Sequence, residues 1–320
     1  MKPLKISWLC ILWLTGCAGL QPGQPAKVII QDAHSGGTVV AFNTSSTLLA
    51  SGGWEGDIHL WRVPDGTLNK TLSAHRDSVN GIVFLDDTHL VSAGYDGRIT
   101  VWDVEGKLLR EVQTPSPITH MVLDAENQLV VTGHKDGAVR VWRLPALTLE
   151  KEYPVHRSAV RAVAWDPVSK HFAASDNDGQ VFLWTTNTTP VPLSPPPSDA
   201  RTLQFSPDGQ KLIGGGWFKL FRWDIASGAL EVIPTEHRGI IKSLRYSTDG
   251  KTLASISRQT DSAVYFLDPQ SGVVVRRFQG HDLCGADISF SPDSHYLATT
   301  SDDASVRLWD LRTPPPSAKQ

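Results

Sequence analysis

His75, Ser92, Asp96 and Trp102 form one set of residues in this 320-residue chain, and His281, Thr299, Asp303 and Trp309 form a second at like spacing. Histidine, serine and aspartate are the residue types of a nucleophilic triad, in which an imidazole takes the hydroxyl proton and a carboxylate orients the ring. A catalytic triad is normally single, whereas these sets recur along the whole chain, so the pattern points to structure. The same recurrence argues against metal binding, because histidines spaced one per repeat do not converge on a single ion. The chain has no Gly-x-Ser-x-Gly elbow, His-Glu-x-x-His or phosphate loop. It also lacks a Cys-x-x-Cys-His haem site. Gly214-Gly215-Gly216 lacks the following helix and Lys-Ser/Thr of a phosphate loop and reads as a shortened turn. No enzyme activity, cofactor or metal is expected.

The elements that carry these residues repeat. Short strands end in Trp61, Trp102, Trp142, Trp184 and Trp223, then in Leu267 and Trp309, at intervals of 39 to 44 residues. Turn signals such as Phe205-Ser206-Pro207-Asp208-Gly209, Tyr246-Ser247-Thr248-Asp249-Gly250 and Phe290-Ser291-Pro292-Asp293-Ser294 separate β-rich runs. No helical periodicity competes, so the chain is expected to be all β. Seven copies of about 40 residues match the spacing of a propeller blade.

From Lys27 to Arg312 the sequence resembles the WD-repeat family, with the Trp-Asp pair itself at Trp102-Asp103, Trp223-Asp224 and Trp309-Asp310. The resemblance implies a seven-bladed β-propeller in which His, Ser or Thr, Asp and Trp hydrogen-bond within each blade. Blades 2 and 7 match in full with the two sets above. Blade 1 has His34, Ser51 and Trp61 with Glu55 for Asp. Blade 3 has Thr132, Asp136 and Trp142 but no His. Blade 4 has His156, Asp178 and Trp184, with Ala174 at the hydroxyl position. Blade 5 keeps only Trp223, and blade 6 has His237 and Asp261 with Leu267 for Trp. The last copy lacks a fourth strand, and Lys27-Val28-Ile29-Ile30-Gln31 is an orphan strand before the first. Pairing of this strand in blade 7 would close the ring.

Composition sets the class of partner. The chain is 40% hydrophobic and 20% charged, with a net charge of −3 and no block of like charges. Disorder is excluded on this balance, and a nucleic-acid footprint, which needs clustered Lys and Arg, is not expected.

Residues 1–16 read as a signal peptide. A basic start with Lys2 and Lys5 precedes the apolar run from Ile6 to Leu14, too short to span a bilayer. Leu14-Thr15-Gly16-Cys17 resembles the lipobox of bacterial lipoproteins, which implies that Cys17 becomes the acylated N-terminus. Ala18 after it implies sorting to the outer membrane, with the domain facing the periplasm. Residues 17–26 then form the lipidated cysteine and a flexible tether, 27–312 the propeller and 313–320 a Pro-rich tail. Cys284 is left alone, so no internal disulfide is expected.

What remains is surface. Trp54 and Trp217 fall in turns after Gly pairs, at a place taken by Tyr95 in blade 2 and Lys135 in blade 3. On the family fold this turn lies on the top face near the channel mouth. Exposed aromatics there suit an interface, because they bury much area at low entropic cost. Arg76, Arg157 and Arg238 follow blade histidines and are placed on the same face. The expectation is a single propeller within a complex, a lipid-anchored scaffold binding envelope proteins through its top face. The alternatives are a glycan- or ligand-binding propeller using the same aromatics and, last, an enzyme with a site at the channel mouth.

Overall fold

The computed structural model describes residues 23–193, 199–258 and 262–313. It is an all-β, seven-bladed propeller. Seven four-stranded antiparallel sheets follow one another along the chain, and the described residues contain no helix. In the first six sheets the chain runs from an innermost strand a, through b and c, to an outer strand d, and in the seventh it runs from a to c. The a strands are Gly37–Phe42, Val79–Phe84, Ile118–Asp124, Val160–Asp166, Thr202–Phe205, Ile240–Tyr246 and Gly285–Phe290. The c strands are Asp57–Arg62, Arg98–Asp103, Ala138–Arg143, Val181–Thr185, Lys219–Asp224, Val264–Leu267 and Val306–Asp310.

Burial explains the order within each sheet. Strand b is almost wholly buried in every blade, as in His89–Gly94 and Leu129–His134, because both of its faces pack on neighbouring blades. The outer strand of blade 1, Leu68–Ser73, is mostly exposed and polar. The apolar clusters therefore straddle blades. Ile58 and Leu60 of blade 1 pack with Ile82, Phe84 and Leu90 of blade 2, and Val40, Phe42 and Trp61 pack with Tyr296, Ala298 and Val306 of blade 7. Each such side chain, fully buried, stabilises the ring by roughly 1.5–3 kcal/mol.

The ring closes as the orphan strand requires. Val28–Ile30 pairs antiparallel with the c strand of blade 7, setting Val28 opposite Leu308 and Ile30 opposite Val306. The attachment continues upstream. Gln24 is buried, forms a parallel bridge with Phe278 in the outer strand of blade 6, and hydrogen-bonds through Nε2 to the Asp310 carbonyl. Of the stretch read as a tether over 17–26, the described residues 23–26 are docked through Gln24, across the seam between blades 6 and 7. The signal segment and Cys17 lie outside the described residues, as do Asp261 and the tail beyond Thr313. Cys284 is the one cysteine among the described residues and forms no disulfide. Blade 4 ends in a two-residue outer strand, Val191–Pro192, where prolines remove ladder donors.

The strand-a turns follow the sequence signals. Ser206 donates to the Asp208 carboxylate and Gly209 takes φ 68°. Ser291 and Asp293 repeat the contact, with Ser294 at φ 62°.

Candidate functional site: the top face and channel mouth

Blade 1 shows the full chain of hydrogen bonds. The Trp61 indole N–H donates to Ser51 Oγ at 2.8 Å, and Ser51 Oγ lies 2.7 Å from His34 Nε2. His34 Nδ1 contacts the Glu55 carboxylate. A carboxylate only accepts, so Nδ1 carries the proton and Nε2 accepts from the serine. Burial lowers the pKa of His34 and keeps the imidazole neutral. Burial alone would raise Glu55, but hydrogen bonds from Ser35 and His34 outweigh it and hold the carboxyl at about 2.

The other blades depart in specific ways. In blade 2, His75 pairs with Asp96 at 3.1 Å and Ser92 at 2.8 Å, but the Trp102 indole donates to Thr100, which in turn contacts Ser92. The expected direct Trp102–Ser92 contact is replaced by a relay. In blade 7, His281 pairs with Asp303 at 3.1 Å and Thr299 at 2.6 Å, while the fully buried Trp309 indole has no hydrogen-bond partner among the described residues. That set is therefore a triad, not the four-member set expected.

Blade 3 does have a histidine, from strand b. His134 Nε2 lies 2.7 Å from Thr132 Oγ1, the Trp142 indole donates to the same oxygen at 2.9 Å, and His134 Nδ1 meets the Ser116 carbonyl. Asp136 turns instead to Arg140. In blade 4 the acid is Asp176, 2.9 Å from His156 Nδ1, and not Asp178, which is exposed. With Ala174 at the hydroxyl position, neither His156 Nε2 nor the Trp184 indole meets a hydroxyl on strand b, and among the described residues the buried His156 Nε2 has no hydrogen-bond partner. In blade 6, His237 pairs with Ser255 at 2.7 Å.

The same ends of the blades form the mouth of a central channel of about 790 Å³, lined by all seven a strands. In five blades one turn residue follows the end of strand b in the same way. Trp54, Tyr95, Lys135, Asn177 and Asp302 each donate their backbone N–H to the residue just before strand a, namely Gly36, Ser78, Pro117, Ala159 and Cys284. The shared placement of Trp54, Tyr95 and Lys135 is as read from the sequence. Trp54 is 48% exposed and lies on the channel, packed over Gly36. Lys135 Nζ stands 5.5 Å from the Tyr95 ring centre, a cation–π contact that orients both.

Trp217 departs from this set. It bridges to Ile240 of the next blade, and Phe218 donates its N–H to Gly239. Phe218 sits at φ 60°, in the position that Gly56, Gly97, Gly137 and Gly179 hold in blades 1–4, and is 50% exposed beside the Trp217 ring. Arg76, Arg157 and Arg238 are exposed beside the blade histidines but do not line the channel.

Sequence reasoning missed a second ring. In six blades strand a carries a β-bulge near its start, and the extra residue is Thr38, Asn80, Thr119, Arg161, Lys242 or Ala286. Arg201 stands at the same place in blade 5, immediately before Thr202, and every one of these residues lines the channel. The signal lay in aligning the copies on strand a rather than on the tryptophans. Among the described residues, no cluster of three or more His, Cys, Asp or Glu is placed to hold a metal.

Fold and repeating side-chain sets together define a WD-repeat β-propeller architecture. Residues 25–62 and 272–310 match the family model described as WD domain, G-beta repeat, and residues 83–196 match one described as IP5P C-F beta-propeller. The chain is similar to Periodic tryptophan protein 2 of Arabidopsis thaliana, 25% identical over 89% of this chain and 31% of that protein. It is similar to WD repeat-containing protein 55 of the same plant, at 22% identity over 85% of this chain and 79% of the relative. Target of rapamycin complex subunit wat1 of Schizosaccharomyces pombe is 26% identical over 82% of this chain and 74% of its own length. The chain spans less than a third of the first of these relatives.

Proposed function

We propose that this propeller is a non-catalytic scaffold that binds protein partners through its top face, held at a membrane by acylation of Cys17. The observation that carries the reading is the aromatic surface of the turns after strand b, where Trp54 at the channel mouth and Phe218 are exposed and Tyr95 and Trp217 are half-buried. Backbone hydrogen bonds fix the turns that carry Trp54, Tyr95 and Phe218, so little backbone entropy remains to be lost on binding. The histidines and acids are consumed in intra-blade hydrogen bonds, which argues for structure and against turnover. One similar protein is by its name a subunit of a complex, in keeping with this role. The lipobox-like Leu14–Cys17 motif supports an envelope location, with an outer-membrane anchor and the domain facing the periplasm.

The test is crosslinking in intact cells followed by capture from solubilised envelopes. A defined partner is expected with the parent chain and not with a Trp54→Ala, Tyr95→Ala, Trp217→Ala variant. Parent protein recovered alone would sink the scaffold reading, and pelleting with purified wall material would then favour a glycan partner. A Cys17→Ser variant that stays in the membrane fraction would overturn the acyl anchor.

A further inference from the structure

The bulge residue of strand a does two different jobs around the ring. In blades 1–3 it is a short polar side chain that stitches backbone together. Thr38 donates to the Gly52 and Val79 carbonyls, Asn80 to Ile118 and Thr119 to Gly133. In blades 4, 5 and 6 the same position holds Arg161, Arg201 and Lys242. Three consecutive blades thus replace a stitch by a long cation facing the channel.

These cations are under-compensated. Arg201 pairs with Asp199 at 2.9 Å, and nearby Arg258 pairs with Asp302 at 2.9 Å. Deeper in the channel, Asp287 is engaged by Arg245 and by Ser243. Arg161 and Lys242 have no carboxylate in contact among the described residues. They repel one another and their basic neighbours: Lys242 is lowered by loss of solvation and then by Arg258 and Arg161, with Asp287 and Asp302 opposing from a distance, and Arg161 by loss of solvation and then by Arg201, with Asp199 opposing. Lys242 is exposed to the channel although protein surrounds it. His120 on the blade 3 strand is held down to about 3 by burial, with Arg245 and Lys242 adding to the effect. Converging like charges in a partly desolvated cleft cost stability unless a counter-charge arrives.

We propose that the channel mouth between blades 4 and 6 is an anion-binding site, in which Arg161, Arg201 and Lys242 take a compact group carrying at least two negative charges. Arginine forks suit phosphate and carboxylate oxygens, and the lysine supplies a point charge. Such a group comes either from a free oxyanion or from adjacent acidic side chains of a bound peptide. The site goes beyond the scaffold role and does not depend on it.

The experiment is calorimetric titration of the full-length protein, at low and at physiological salt, with inorganic pyrophosphate and separately with a hexaglutamate peptide. At least one probe is expected to bind one to one. An Arg161→Thr, Lys242→Thr variant is expected to weaken binding tenfold or more. An Arg76→Gln, Arg157→Gln variant, altered outside the channel, is expected to change it less than twofold. Binding of pyrophosphate alone assigns a free oxyanion, binding of the peptide alone assigns a partner's side chains, and mutual competition assigns one site open to both. Threonine already occupies this bulge in blades 1 and 3, so the variant is expected to melt no lower than the parent without anion and to lose the anion-induced rise. Arg161→Gln, Lys242→Gln serves as a second version of the same test. No binding of either probe at low salt, or equal loss in the Arg76, Arg157 control, would overturn the proposal. A protein that captures its partner yet binds neither probe refutes this site and leaves the scaffold reading standing.

Discussion

His134 stands 2.7 Å from Thr132, two residues earlier on the same strand, and fills the place that a histidine from the preceding loop fills in blades 1, 2 and 7. The space exists because of the residue at the end of strand b. In blades 1 and 2 that residue is Gly53 or Gly94, where an added Cβ would lie 2.6 Å or 2.5 Å from the imidazole Nδ1. Blade 3 has lost the loop histidine, so a side chain at the glycine position enters the vacated space. Thr132→Val therefore removes a partner of both His134 and Trp142. It is expected to cost about 2–3 kcal/mol, read as a drop in melting temperature or in the denaturant midpoint.

Blade 4 uses the same position differently, with Asp176 as the acid. Asp176→Ala is expected to destabilise by roughly 2 kcal/mol, because His156 Nδ1 and two backbone N–H groups lose their acceptor. Asp178→Ala is expected to stay within about 0.5 kcal/mol. Equal effects in chemical denaturation would show that the assignment is wrong.

Ala174→Ser offers a gain. A hydroxyl there would serve both the buried His156 Nε2 and the Trp184 indole, as Ser51 serves His34 and Trp61 in blade 1. An increase of about 1 kcal/mol is expected by calorimetry; a decrease would mean that the site lacks room for one more atom.

Stability is expected to fall on the acid side from near pH 6.5. His134 is lowered to about 4, chiefly by burial, although its bond to the Ser116 carbonyl acts the other way. The unfolded chain then binds this proton first, so the contribution is complete above pH 6.5 and declines as pH falls towards 4. It amounts to roughly 2 kcal/mol lost by pH 5. Glu55, depressed to about 2, adds stability that is present above its ordinary value of 4.5 and is lost as pH falls through about 2. Melting temperatures measured between pH 8 and pH 3 check both, and a His134→Gln variant should flatten the first part of the curve.

Phe218→Gly is expected to stabilise the fold by up to about 1 kcal/mol, since φ 60° strains a bulky residue and glycine holds the position in blades 1–4. It is also expected to weaken partner capture, because an exposed ring beside Trp217 is removed. A variant that is more stable and equally competent in capture would make Phe218 irrelevant to docking.

The ring, its seven blades and its closing strand were legible because they are written in period and alternation. The Trp-bearing strands recur at fixed spacing, and Val28–Ile30 had no partner before blade 1. Side-chain sets that follow strand register were less visible. Trp102 reaches Thr100 rather than Ser92, and His134 and Asp176 act from a position that is glycine in blades 1 and 2. A one-dimensional motif gives offsets along the chain, whereas these substitutions conserve a point in space. The basic arc of Arg161, Arg201 and Lys242 was hidden for a related reason. A bulge adds one residue locally and shifts which side chain turns inward, and only strand pairing reveals it.

The seam between first and last strands also dictates an order of events. Gln24 hydrogen-bonds to Asp310 across 286 positions, and Val28 finds its partner in Leu308. A chain emerging N-terminus first can complete the sheets of blades 1 to 6 from local hairpins as each is released. Its earliest strand must nevertheless wait for the latest. Contacts of such separation are slow to form, so the exposed edge of Val306–Asp310 and the unclaimed strand Val28–Ile30 coexist until release is complete. That interval is when the molecule is most open to pairing with the wrong copy of itself, and Gln24, by fastening on blade 6 as well, helps to end it.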